Sequence, residues 1–120
     1  AGYVPVVAPL AISYEGEALN VDGDRVAAAI SGALKAQTLV ILSNVPGLLE
    51  QFPDENTVIA HIEPKNAPTL LDQVAQGRMK KKVLGVVEAV NEGVQQAVIA
   101  DGRVKRPLQR ALAGQGTVIG

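Results

Sequence analysis

Asn20, Asp22 and Asp24 crowd one loop-to-helix junction, Asn20-Val21-Asp22-Gly23-Asp24. Free backbone N–H groups and the helix dipole favour an anion at such a junction, and the carboxylates offer a partner for a cation. The pattern suits a phosphate or its metal, and it suits an ordinary Asx-type turn and N-cap more simply. A second candidate, Ser43-Asn44-Val45-Pro46-Gly47-Leu48, follows the apolar run TLVILS. Ligands of open α/β sheets sit beyond the carboxyl ends of such strands, which makes this a candidate nucleotide loop; a plain turn containing Pro and Gly explains it equally well. The third, Gly77-Arg78-Met79-Lys80-Lys81-Lys82, sets three consecutive lysines at a helix start. Cations there oppose the dipole unless an anion compensates, so the run favours a phosphate site. The lysines fan around the axis, so at least one of them belongs to a solvated face.

Other chemistries lack their residues. The chain has neither a Walker-type loop nor a GxGxxG pattern. His61 is the sole histidine and takes no role, and with no cysteine there is no disulfide framework and no thiolate metal site. The formal charge of −1 gives no global attraction to nucleic acid or anionic membrane. The basic run from Arg103 to Arg110 lacks interleaved aromatics, the chain holding two Tyr, one Phe and no Trp, so nucleic-acid binding by stacking is not expected. That run reads as a solvated face or as a docking surface for an acidic partner.

The elements that must position these residues follow from periodicity. Val4 to Leu10 is β-rich and apolar, and Ser13 to Glu17 has turn composition, predicting a strand and a hairpin-like loop. Asp22 can cap a helix whose Val26, Ile30, Ala33 and Leu34 recur at helical spacing as a buried face, ending near Lys35. Thr38 to Ser43 suits a parallel strand covered on both faces, and Asn44 to Gly47 turns the chain. Pro53 to Asn56 reads as a surface loop, Thr57 to Ile62 as a weak or edge strand, and Pro68 to Ala75 as a modest helix ending at Gly77. Met79, Val83, Val86, Val87 and Val90 define an amphipathic helix that stops near Gly93. Gln96 to Ala100 reads as a buried strand, Pro107 to Leu112 as a short helix, and Thr117 to Ile119 as a last strand.

Alternating strands and helices predict one α/β domain with a mostly parallel sheet. At 120 residues and 48% hydrophobic the chain can bury a core. With neither a signal-peptide start nor an apolar run long enough to span a bilayer, it is expected to be cytoplasmic, with no membrane partner. The opening AGYVPVV lacks Met, as a chain beginning inside a longer polypeptide would.

Taken in order, GYVPVVAPLAIS, LNVDGD, LVILSNVPGLL, GRMKKKV and ADGR followed by GQGTVIG resemble successive landmarks of the amino-acid kinase family, especially acetylglutamate kinases. The resemblance covers essentially every residue and corresponds to the C-terminal half of such an enzyme. It implies a three-layer α/β/α, carbamate kinase-like fold with a mostly parallel sheet. The implied activity is ATP-dependent phosphorylation of the side-chain carboxylate of an amino-protected acidic amino acid, giving an acyl phosphate. GRMKKKV and DGRVKRP are most similar to kinases acting on aminoadipate or glutamate attached to an amino-group carrier protein, in lysine or arginine biosynthesis.

By the same resemblance Asn20 holds the amino-acid substrate, Asp24 positions catalytic lysines, and Lys82 stabilises the transferring phosphoryl group. Met79 aligns with the methionine of the family's GM-x-x-K pattern. Ser43, Asn44, Val45, Gly47, Leu48, Gly77, Met79 and Lys82 are the implied ATP contacts, within the stretches Asn44 to Leu49 and Val74 to Lys82. Mg2+ would bridge the ATP phosphates, with no metal ligand from these residues. Asn44 stands where many relatives have Asp, Arg78 where Gly is usual, and Arg106 where acetylglutamate kinases commonly have His. An acidic carrier protein would account for the added positive charge. The family's Lys-Gly-Gly motif, Gly-Gly substrate loop, substrate-binding Arg and usual dimer interface belong to an N-terminal half that this sequence does not contain. Turnover by this chain alone is therefore not expected, and the parent enzyme is expected to be a homodimer or larger homo-oligomer. Competing readings are a kinase acting on free acetylglutamate, a noncatalytic nucleotide-binding regulatory module, whose binding would not depend on Asp24, and a protein-binding domain that docks an acidic partner.

Overall fold

The computed structural model describes residues 2–74 and 77–120. Strands β1 (Leu10–Ile12) and β2 (Ala18–Asn20) form an antiparallel hairpin. Its turn is closed by Ser13, which exchanges backbone bonds with Gly16 and Glu17 and accepts the Glu17 N–H on Oγ at 3.0 Å. The strand expected over Val4 to Leu10 is displaced: pairing begins only at Leu10, and Tyr3, Val4, Val6 and Val7 stand exposed. A β-rich run becomes a strand only where a ladder partner exists, and residues 2–9 have none among the described residues.

Helix α1 (Gly23–Leu34) starts at Asp22, whose Oδ1 accepts the N–H groups of Asp24 at 2.8 Å and Arg25 at 3.4 Å. It ends at Lys35 in the left-handed conformation, whose N–H returns to the Gly32 carbonyl. The capping function expected of Asp22 is realised, and Asp22→Ala is expected to cost about 1 kcal/mol, read from the denaturant midpoint. The face of α1 is corrected. Ala28, Ser31 and Gly32 are buried, whereas Ile30 is 40% and Leu34 75% exposed. Small residues let α1 approach its neighbouring helix closely, and the bulkier stripe that periodicity singles out is turned outward.

Strand β3 (Thr38–Ser43) is followed by the turn at residues 44–47, a 3-10 turn over Glu55–Thr57, strand β4 (His61–Ile62) and helix α2 (Ala67–Val74). The expected strand over Thr57 to Ile62 shrinks to β4 and an isolated bridge between Leu49 and Val58. Ala75, the predicted end of α2, lies outside the described residues, and Gly77 opens the next helix rather than terminating α2. Helix α3 (Gly77–Asn91), strand β5 (Gln96–Asp101), helix α4 (Pro107–Leu112) and strand β6 (Thr117–Ile119) complete the chain.

The central sheet has the order β3-β5-β6-β4. β3 pairs in parallel with β5, and β4 with β6, while β5 and β6 are antiparallel. The reversal follows from the connection, since α4 is a single short helix that brings the chain back beside β5 rather than carrying it over the sheet in the same sense.

Three layers result. On one face Leu39, Ile41, Ala97, Ile99 and Ile119 pack with Ala28 of α1, Leu71 of α2 and Val83, Val86 and Val87 of α3. On the other, Val98 and Ala100 meet Ala111 of α4, with Val40 and Val118 half-buried beside them. Each fully buried Leu or Ile contributes about 1.5–3 kcal/mol over an exposed one, so most of the stabilisation lies in the first layer. The second covering is thinner than TLVILS implies, Leu42 remaining substantially exposed. No helix among the described residues is long and apolar enough to cross a membrane.

Candidate functional site

The close packing of α1 on α3 sets Asp24, in the first turn of α1, against Lys82 of α3. Lys82 Nζ donates to Asp24 Oδ2. The two side chains are 22% and 31% exposed, partly withdrawn from water yet open to a ligand. A carboxylate in the first turn is favoured by the helix dipole, so Asp24 is a fixed anionic anchor for the ammonium. The three consecutive lysines separate accordingly. Lys80 reaches Asp72 of α2 at 3.1 Å, Lys81 points to solvent, and Lys82 alone turns toward the junction at residues 20–24.

Lys82 also lines a cleft of about 790 Å³ at the carboxyl end of β3. On α3 the cleft-lining residues are Arg78, Met79 and Lys82, a spacing that places them on one helical face. The opposite wall is the segment from Leu42 to Phe52, with Gln73 and Val74 of α2 between. Of the predicted contacts, Ser43, Asn44, Val45, Gly47, Leu48, Met79 and Lys82 line this one cleft. Gly77 does not; it begins α3 with φ of 57° just ahead of Arg78. Asn20 ends β2 in an exposed position, away from the cleft lining. Ala75 and Gln76, within the predicted stretch Val74 to Lys82, lie outside the described residues.

Sequence reasoning misses Leu42, Glu50, Gln51, Phe52 and Gln73 as lining residues, and Arg78, inside the expected stretch Val74 to Lys82, is not singled out there as a contact. The i, i+4 relation to Lys82 could have placed Arg78 on the cleft face. Nothing local points to residues 50–52, which are brought in by the Leu49–Val58 bridge and by the Gln51 N–H bonded to Thr57 Oγ1 at 3.0 Å.

Thr117 fixes the loop after β3. Its fully buried hydroxyl accepts the Leu48 N–H at 2.8 Å and donates to the Ile59 carbonyl at 2.7 Å. The GQGT segment, far along the chain, thereby holds the candidate nucleotide loop in place. Gly47 is required by the same contact, since a Cβ there would lie 2.6 Å from Thr117 Oγ1.

Asp101, at the end of β5, accepts Arg103 Nε on Oδ1 and Nη2 on Oδ2, each at 2.9 Å, as well as the Arg103 N–H at 2.8 Å. The side-chain bonds from Arg103 hold the Asp101 carboxyl below its ordinary value of 3.8, against a smaller upward push from burial. The same bonds, with those to Glu55, raise the Arg103 guanidinium above its already high range. A depressed carboxyl stabilises the fold above its unfolded value and loses that contribution as pH falls through its folded value. The difference in melting temperature between wild type and Asp101→Asn is therefore expected to be full at neutral pH and to close as pH drops below 3.8, which a series of thermal melts measures.

The fold and cleft define a three-layer α/β domain with a partly buried lysine–aspartate pair at a nucleotide-sized cavity. The sequence pattern of the amino acid kinase family matches residues 1–101, and the chain belongs to that family. It is 54% identical over 119 residues to the [LysW]-aminoadipate kinase of Deinococcus radiodurans, covering 99% of this chain and 40% of that protein. To the acetylglutamate kinase of Desulforamulus reducens it is 45% identical over 104 residues, 86% of this chain and 36% of the relative. Among solved structures, N-acetylglutamate synthase from Neisseria gonorrhoeae, complexed with coenzyme A and N-acetyl-glutamate, superposes with a TM-score of 0.81 at 29% identity. That match covers 93% of this chain and 26% of the synthase. The chain thus spans less than half the length of the relatives it matches.

Proposed function

We propose that these residues form the nucleotide-binding half of an amino-acid kinase that phosphorylates the side-chain carboxylate of aminoadipate or glutamate, its amino group masked by linkage to an acidic carrier protein. The observation that carries the reading is the Lys82–Asp24 pair beside the cleft. Phosphoryl transfer asks for positioning and charge neutralisation more than for a protein nucleophile. The wall containing Leu42 and Val45 offers apolar surface to a base, and Arg78 and Lys82 offer cations to a polyphosphate. Lys82 would meet the transferring phosphoryl group while Asp24 fixes its direction, and Asn20, at the adjoining junction, would bind the amino acid. The substrate carboxylate oxygen attacks the γ-phosphorus, the bond to the β,γ-bridging oxygen breaks, and ADP leaves with its electron pair.

Mg2+ bound with the nucleotide would supply charge neutralisation for its phosphates. Among the described residues no group of three or more His, Asp or Glu is placed to hold a metal, and in this reading the ion would arrive carried on the nucleotide. The likeness to the [LysW]-aminoadipate kinase supports the carrier-linked substrate; the likeness to acetylglutamate kinase keeps free acetylglutamate as the second reading. The complete enzyme would be a cytoplasmic homo-oligomer.

Trapping of the acyl phosphate with hydroxylamine tests the reaction. A polypeptide joining these residues to a substrate-binding half is expected to yield hydroxamate from carrier-linked aminoadipate or glutamate with Mg-ATP, and this chain alone none. Turnover by the chain alone would refute the division of labour, and turnover only with acetylglutamate would move the substrate to the second reading.

A further inference from the structure

Arg103 lies outside the cleft, yet its side chain joins two segments that build it. One is the end of β5. Asp101 takes the guanidinium on both carboxylate oxygens, and the next residue, Gly102, donates its N–H to the Ser43 carbonyl at 2.7 Å. Ser43 itself lines the cleft. The other is the loop of residues 50–57. Arg103 Nη2 reaches Glu55 Oε1 at 2.8 Å and Nη1 reaches Oε2 at 3.3 Å, a two-pronged bond that only a guanidinium makes.

That loop is closed on itself by local bonds and weakly held from outside. The Glu50 N–H bonds to the Thr57 carbonyl at 2.7 Å, the Asp54 N–H to the Gln51 carbonyl at 2.8 Å, and Asp54 Oδ1 accepts the Asn56 N–H at 3.0 Å. The Leu49–Val58 bridge closes its base. Phe52 is largely exposed and gives the loop no buried apolar anchor of its own. Bonds this local on an exposed segment hold best while its far end is fixed, and the bond from Arg103 to Glu55 is the side-chain ion pair that fixes it. Glu50, Gln51 and Phe52 form the cleft wall facing α3, so the angle of the loop sets the width of the cleft.

We infer that Arg103 is a positioning residue that, through Glu55, holds the 50–57 loop at the angle the nucleotide requires. It does not touch the nucleotide. The inference rests on the proposal that a nucleotide occupies this cleft.

The test is calorimetric titration of Mg-ATP into wild-type chain, Arg103→Ala, Arg103→Lys, Glu55→Gln and the Arg103→Ala/Glu55→Gln double variant, with hydrogen exchange of the loop amides on the same samples. Arg103→Ala is expected to weaken binding about five- to twentyfold, Glu55→Gln about threefold or more, and the double variant no more than Arg103→Ala alone. Arg103→Lys keeps the charge but cannot bridge both carboxylates with a planar fork, and should fall with Arg103→Ala. Exchange of the Glu50, Gln51 and Thr57 amides should quicken about tenfold while that of β5 is unchanged.

Glu55→Gln leaves the Asp101 contact intact, so it reads the effect at an unaltered melting temperature even where Arg103→Ala folds poorly. Full rescue by Arg103→Lys, unchanged affinity in Glu55→Gln, or additive losses in the double variant would each overturn the inference. If wild type binds no nucleotide, the proposed function fails first, and the exchange rates still decide whether Arg103 holds the loop.

Discussion

Lys82→Ala is expected to weaken Mg-ATP binding by about ten- to a hundredfold, the range that a charge-assisted hydrogen bond of about 1.5–3 kcal/mol supplies. In the complete enzyme the same change, or Asp24→Asn, is expected to lower kcat by about 10²–10³, the size of effect seen when one preorganised donor is removed from a developing charge. The two variants differ in what they remove. Lys82→Ala deletes the cation that meets the phosphates. Asp24→Asn leaves the cation and removes the anion that directs it, so its loss falls on kcat more than on KM. The geometry supports this asymmetry because Asp24 is held at the start of α1 by the Asp22 cap and is not among the residues lining the cleft. Lys81→Ala serves as the control, for Lys81 is exposed, and it should change neither quantity by more than a factor of two (about 0.4 kcal/mol). Titration of Mg-ATP and steady-state kinetics measure these effects, and equal losses in Lys82→Ala and Lys81→Ala with none in Asp24→Asn would mean that the cluster acts only through bulk charge.

The second large effect is expected at Gly47. An added Cβ would stand 2.6 Å from Thr117 Oγ1 and 3.1 Å from both the Thr117 nitrogen and Val58 Cγ1. Thr117 cannot retreat, being buried in β6 and bonded at once to Leu48 and Ile59. The loop must therefore shift and give up the Leu48 bond, leaving a buried N–H without a partner. Overpacking and the lost bond together predict about 2–4 kcal/mol of destabilisation for Gly47→Ala. Thr117→Val keeps the volume and removes only the hydroxyl, and about 1–3 kcal/mol is expected. If the clash is with the hydroxyl, the double variant Gly47→Ala/Thr117→Ala will lose less than the sum of Gly47→Ala and Thr117→Ala measured singly. Denaturant titrations of the three variants and the wild type supply the comparison. Strict additivity would show that Gly47 is needed for another reason.

Much of this arrangement is legible before any coordinates. β3, β5, α4 and β6 lie within a residue of where apolar runs and turn residues place them, because each is a short local pattern bounded by Gly, Pro or charge. α3 shows the buried Val83, Val86 and Val87 that its period predicts. What fails depends on partners. The apolar run at Val4 to Leu10 reads as a strand, but a ladder needs a second strand, and periodicity cannot say whether one is present. The inner face of α1 is misread because Ala28, Ser31 and Gly32 carry little hydrophobic signal, while Ile30 and Leu34 carry much and face outward. Helix contact here is decided by how closely two backbones approach rather than by apolar area.

The candidate site divides along the same line. Ser43, Asn44, Val45, Gly47, Leu48, Met79 and Lys82 converge on one cleft, as the order of the family landmarks implies. Glu50, Gln51 and Phe52 enter it only through bonds to Thr57 and Val58, and Arg103 acts on that wall from the far end of the sequence. Thr117 likewise serves the loop at Leu48 across 69 positions of chain. Such contacts leave no local periodicity to find.

The most direct test of the central claim is a calorimetric titration of Mg-ATP into the purified chain, its intact mass first verified as 12.5 kDa and its folding checked by a cooperative melt, alongside Lys82→Ala. Saturable one-to-one binding by the wild type is expected, weakened about ten- to a hundredfold in the variant. Absence of binding by folded wild-type chain, or equal affinity in the two proteins, would contradict the claim.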